Sequence, residues 1–226
     1  MPNEFLIDEV KKRYGKNKAI AKEIRDLKNE ESDFRYLAEL ILEEFNDIDL
    51  SVRLCKAAEE ELKTDFDKHL DLAFTVSNKI KDYDWSSLLA KTSAGLAQTA
   101  SDFVGLGQLV SASDGINNKK WAKDFYDLAL VKASDGDDFA EVAVSAYNDR
   151  YLDDPQLSAF ALEKAIDKAK DVYHITSLAN LVACNELPGG VEMVRKIFSK
   201  GAEKFSAPDD LEFLTEQEHK LTSNNS

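Results

Sequence analysis

Leu50, Trp85, Trp121, Leu157 and Met193 stand 35, 36, 36 and 36 residues apart, and each opens a run with apolar or small residues at every fourth position. The same steps join Leu54, Leu89, Phe125, Ala161 and Ile197, and then Ala58, Ser93, Ala129, Ala165 and Gly201. A second column precedes the first, in which a large aliphatic is followed by a small residue: Leu37-Ala38, Leu72-Ala73, Leu106-Gly107, Val142-Ala143, Leu178-Ala179 and Leu214-Thr215. Three residues before each marker stand Phe34, His69, Phe103, Phe139, Ile175 and Leu211, with only His69 breaking the apolar run. Spacing by four puts each stripe on one face of a helix. Two stripes per period mean a helix A followed by a helix B, repeated along the chain. One such pair cannot hide both its apolar faces, so successive pairs must stack. The expected fold is all-α: an α-solenoid of stacked antiparallel helix pairs with repeats of about 36 residues and roughly 12 helices.

Punctuation sets the boundaries. With only 9 Gly and 4 Pro, breakers are too few for an all-β chain. Ser32-Asp33, Asp65, Asp102 and Asp137-Asp138 stand where helix A should begin, offering oxygens to unpaired N–H groups. Asp154-Pro155 opens the fourth B helix, and Leu187-Pro-Gly-Gly190 breaks the fifth unit between A and B. The units fall near 32–64, 65–98, 99–134, 135–170 and 171–206, with a final helix at 207–221. Residues 1–31 read as a shorter capping pair, with Ile20, Ile24 and Leu27 on one face, and the polar end 222–226 as frayed.

The repeat resembles the tetratricopeptide family and the related SEL-type repeats. Ala122, Tyr126 and Ala129 match the small–aromatic–small spacing of the family's helix B. Phe139, Val142 and Ala143, and again Ile175, Leu178 and Ala179, match the start of its helix A. The likeness covers residues 32 to about 215. Most units here exceed the family's usual length of about 34 residues, which implies a longer A–B connection. The small residue is also less regular, as in Val194, Phe198 and Gly201. The resemblance implies a concave surface lined by helix A, and so a protein or peptide partner held by Arg35, Glu39, Glu43, Phe74, Asn78, Gln108, Tyr147, Asn148 and Asn180. Some family members grip a terminal carboxylate with cations on helix A. At those places this chain has Leu70, Val104, Ala140 and Thr176, with only Arg35 cationic, so amides and acids suit an extended or basic peptide better. Loss of binding without loss of stability is expected from Asn148→Ala and from Asn180→Ala.

The formal charge is −14, and it is uneven. Residues 1–31 hold 8 Lys/Arg against 7 Asp/Glu, and the remaining 21 Lys/Arg against 36 Asp/Glu put the rest at −15. Such a body repels phosphate backbones, which argues against nucleic acid and for a basic partner. No apolar run approaches the ~18 residues of a membrane span, and the first residues do not read as a secretory signal. A cytoplasmic location is expected, with Cys55 and Cys184 as small buried thiols too distant for a disulfide.

Few residues invite chemistry. Glu216-x-x-His219 has di-iron spacing but lacks the second pair and further glutamates, so no metal is expected. His69 reads as a satisfied core histidine, and His174 as a surface or capping residue. Gly105-x-Gly107 lies in a helical stripe with no preceding strand, which points to close packing rather than phosphate. Asp135-Gly-Asp-Asp138 fails as a calcium loop because the twelfth place is Ala146. Tyr83-Asp84-Trp85 belongs with core packing. No catalytic residue and no cofactor is expected. The leading reading is a non-enzymatic interaction scaffold or adaptor. An acidic inhibitor or immunity-type protein capping a basic site on one dedicated partner is the alternative. An all-α enzyme, which would need a deep polar pocket with converging carboxylates, stands third.

Overall fold

The computed structural model describes residues 3–29, 33–62, 64–184 and 186–223. Among them every regular element is helical: thirteen α-helices and one π-helical turn, without a strand. The rough count of 12 from the sequence is one short of this, although a capping pair, five units of two helices and the final helix make up thirteen. Neighbours in the chain pack as antiparallel pairs, as an α-helical repeat array requires. Two compact units result: residues 1–97 with 114–116, and residues 98–113 with 117–226.

The first unit contains α1 (Glu4–Tyr14), α2 (Lys18–Lys28), α3 (Phe34–Phe45), α4 (Ile48–Glu61), α5 (Phe66–Thr75) and α6 (Tyr83–Ala94). A π-helical turn, Val76–Ile80, extends α5. Leu37, Leu50, Leu54, Leu72 and Leu89 are fully buried, so both sequence columns point into this core. Asp33, Asp47, Asp65 and Asp82 accept backbone N–H groups at the starts of α3, α4, α5 and α6. Ser32 lies outside the described residues. The A–B linkers are minimal, residues 46–47 and 81–82, and each turns through a left-handed residue, Asn46 or Lys81. Ser51 and Ser86, 35 residues apart, repeat one buried bond: each hydroxyl donates to a helix A carbonyl, of Ala38 or Ala73. No helix among the described residues is long and apolar enough to cross a membrane.

The second unit contains α7 (Ala100–Ser111), α8 (Lys119–Lys132), α9 (Gly136–Tyr147), α10 (Pro155–Lys168), α11 (Val172–Ala183), α12 (Gly190–Lys204) and α13 (Pro208–Ser223). Helix A starts slightly earlier than its acidic markers suggest. Thr99 caps α7 while Asp102 closes a reciprocal box from inside the first turn. Asp135 caps α9, with Asp138 reaching back to Ser134. A Cβ on Gly107 would lie 2.9 Å from the Tyr126 ring, so glycine lets α7 close on a fully buried aromatic. Leu211 departs from its column: it is exposed, as α13 packs mainly on α11 and α12 among the described residues.

The A–B linkers after α7, α9 and α11 are long: 112–118, 148–154 and 184–189. The first two share one conformation. Asn117 and Asp153, 36 apart, are left-handed, and the next residue caps helix B while its N–H bonds back to Val110 or Ala146. Ser113 N–H donates to the Arg150 carbonyl, joining the two linkers. Leu152 and Leu187 are buried and anchor the second and third.

Candidate functional site

The nine residues expected on one surface divide by environment. In the first unit, α3 and α5 are laced by contacts between residues 36 apart. Buried Arg35 pairs with Asp71 at 3.2 Å, Thr75 donates to Glu39, and Lys79 of the π-helical turn pairs with Glu43 at 2.6 Å, while within α3 Arg35 also pairs with Glu39 at 3.0 Å. Arg35, Glu39 and Glu43 are therefore engaged with their own scaffold. Phe74 and Asn78 are half-buried at the end of α5 and in the π-helical turn. In the second unit Gln108 donates to Ser145 at 2.7 Å, and Asn180 is exposed on α11.

Tyr147 and Asn148 are brought together. With Val144, Asp149, Asp153 and Glu186 they line a recess of about 510 Å³ in the second unit. The end of α9 supplies Val144 and Tyr147, the 148–154 linker supplies Asn148 and two acids, and the turn after α11 supplies Glu186. Asn148 closes α9 with its N–H on Val144, and its side chain accepts from the Arg150 N–H at 2.9 Å. The Glu186 N–H bonds to the Leu181 carbonyl at 2.9 Å, fixing the other wall. Asp149, Asp153 and Glu186 have no ion-pair partner among the described residues, and none of the six lining side chains is cationic. The partial negative charge at the C-terminus of α9 adds to theirs. Tyr147 is half-buried and offers an aromatic wall with a hydroxyl. The arrangement suits an ammonium or guanidinium group.

Sequence reasoning found Tyr147 and Asn148 but not the three acids. Their signal was the longer A–B connection, which places carboxylates beyond the helix ends where helical spacing does not reach.

The residues set aside from chemistry are engaged locally. The His69 ring lies 2.8 Å from the Asp65 carbonyl, and Glu216 pairs with Lys220 at 2.7 Å. His174 is more enclosed than a surface residue: its imidazole stands over Gly136, 3.2 Å from an Asp137 oxygen. Trp85 is half-buried rather than fully packed, and its indole N–H donates to Glu59. Cys55 is buried, which pushes its thiol up to about 12. Cys184 is exposed, contrary to expectation, because it follows the last turn of α11. A larger concavity, about 690 Å³, is lined by side chains of α13 alone and is one helix's open face rather than a cleft.

Comparison with protein-family models, curated proteins and solved structures finds no match to this chain.

Proposed function

We propose that this chain is a non-enzymatic binding protein built on a tetratricopeptide-like array, which holds an extended basic segment of another protein in the cytoplasm. The recess of the second unit takes a lysine or arginine side chain of that segment. The observation that carries this reading is that Asp149, Asp153 and Glu186, without an ion-pair partner among the described residues, line one recess with Tyr147 and Asn148 at a helix C-terminus. The acidic body would steer such a partner inward from a distance.

Titration of a fluorescein-labelled peptide of alternating lysine and glycine tests it. Asp149→Asn with Glu186→Gln should weaken binding about tenfold, since two exposed charge contacts at ~0.7 kcal/mol each come to that factor. Asp67→Asn with Asp84→Asn makes the same charge change at exposed sites in the first unit and should leave affinity within about twofold. Equal effects from the two pairs would reduce the attraction to net charge and sink the site.

A further inference from the structure

The first unit holds an exposed apolar corner that abuts the most basic stretch of the chain. Phe45 ends α3 and Ile48 opens α4, with only Asn46 and Asp47 between them, and they stay 41% and 51% exposed. The corner is rigid: Asn46 is left-handed, Asp47 caps α4, and Tyr14 stacks on Phe45 with ring centroids 4.2 Å apart. The Tyr14 hydroxyl and the Arg13 guanidinium both donate to Asp47 at 2.8 Å, which ties the α1–α2 turn to the corner. Residues 11–28, from the end of α1 through α2, hold 8 Lys/Arg against Glu23 and Asp26, a balance of +6 that leaves −20 on the rest of the chain. Helix α2 buries Ile20, Ile24 and Leu27 and leaves Lys18, Lys22 and Arg25 exposed on the opposite side, spaced by four and three residues. Lys16 is exposed on the turn itself, and neither it nor Lys18 has an ion-pair partner among the described residues.

Apolar contact on a rigid corner supplies affinity, and charge of one sign beside it selects the partner. We infer that the corner and the adjoining turn form a docking surface for a short acidic segment of another protein that carries a large apolar side chain. Its carboxylates lie along Lys16, Lys18 and Lys22, and its apolar group rests against Phe45 and Ile48. A segment fits this surface better than a membrane or a nucleic acid does. Glu44 and Asp49 are exposed next to the apolar pair in the chain, so a broad anionic surface resting on the corner meets them too and is repelled. The surface lies wholly in the first unit and does not depend on the second-unit recess. Exposed charge pairs are individually weak, so the complex is loose and sensitive to salt.

Fluorescence anisotropy at low salt tests this with two labelled peptides of equal charge: alternating glutamate and glycine, and the same peptide with its central glycine replaced by leucine. The leucine peptide should bind the native chain about threefold more tightly, from partial burial of one apolar side chain. Lys16→Glu with Lys18→Glu should weaken both peptides about tenfold. Ile48→Ser should remove the advantage of the leucine peptide and leave the glycine peptide unchanged. Lys120→Glu with Lys132→Glu makes the same charge change at exposed ends of α8 and should leave both affinities within about twofold. Far-ultraviolet circular dichroism of each variant establishes that it is folded. Failure of both peptides to bind, equal losses from the two lysine pairs, or a leucine advantage that is absent or survives Ile48→Ser overturns the inference. Capture of the chain by phosphatidylserine vesicles without binding of either peptide overturns it as well, in favour of a membrane. The lysine–glycine peptide is measured separately on the recess variants, so either site can fail while the other stands.

Discussion

At the scale of single residues, the repeat is enforced by close fits that tolerate little change. Gly107→Ala puts a methyl group within 2.9 Å of a fully buried Tyr126 ring, and overpacking of this kind costs about 1–3 kcal/mol. Urea unfolding should show that loss. The Tyr126 hydroxyl is buried near Ser111 and Ser145 but makes no well-formed hydrogen bond, so Tyr126→Phe should be neutral or stabilising in the same measurement. Asp47 accepts from Tyr14 and Arg13 and caps α4; Asp47→Ala should cost about 1–2 kcal/mol. The hydrogen bond from Tyr14, helped by Arg13, holds the Asp47 carboxyl below its ordinary range. Its folded value is therefore below its unfolded one. The stabilisation from its charge is complete at neutral pH and fades below about pH 4, as the carboxyl is protonated. The stability gap between native chain and Asp47→Asn should close over that interval. The Gly107 fit was legible in the sequence as the smallest member of the small-residue column that follows each large aliphatic. The Tyr14–Asp47 tie was not, because it joins residues 33 apart outside any stripe.

At the scale of elements, helix pairs and their order were readable because a four-residue stripe has one physical solution. Linkers were readable only in length. In the first unit two residues suffice, and there Ser51 and Ser86 bond to helix A. In the second unit, where the linkers are longer, Ser158 stands at the equivalent place and keeps a buried hydroxyl without a hydrogen-bond partner among the described residues. The left-handed Asp153 is where the long linker turns back toward α10. Asp153→Val should cost about 1–2 kcal/mol through backbone strain, whereas Asp153→Gly should leave stability nearly unchanged. Asn148→Ala should weaken the lysine–glycine peptide severalfold. Asn180→Ala, a substitution at an exposed site outside the recess lining, should not. The sequence grouped these two asparagines by helical register alone, and register does not tell which of them will line the recess.

At the scale of the whole molecule, charge and periodicity carry different information. Periodicity specifies helix pairs throughout, yet the described contacts resolve into two compact units, one with short linkers and one with long. The acidic balance of the sequence favours a basic partner without locating it; the proposal places it at the carboxylates of the second-unit recess. The central claim is that a cationic segment binds there and not over the acidic surface at large. Nitrogen-15 chemical-shift mapping of the full chain during titration with the lysine–glycine peptide tests it most directly. The account predicts saturable shifts concentrated at residues 144–153 and at Glu186, with α3 and α5 unmoved. Shifts spread evenly over exposed acids of both units, or confined to α3 and α5, would contradict it.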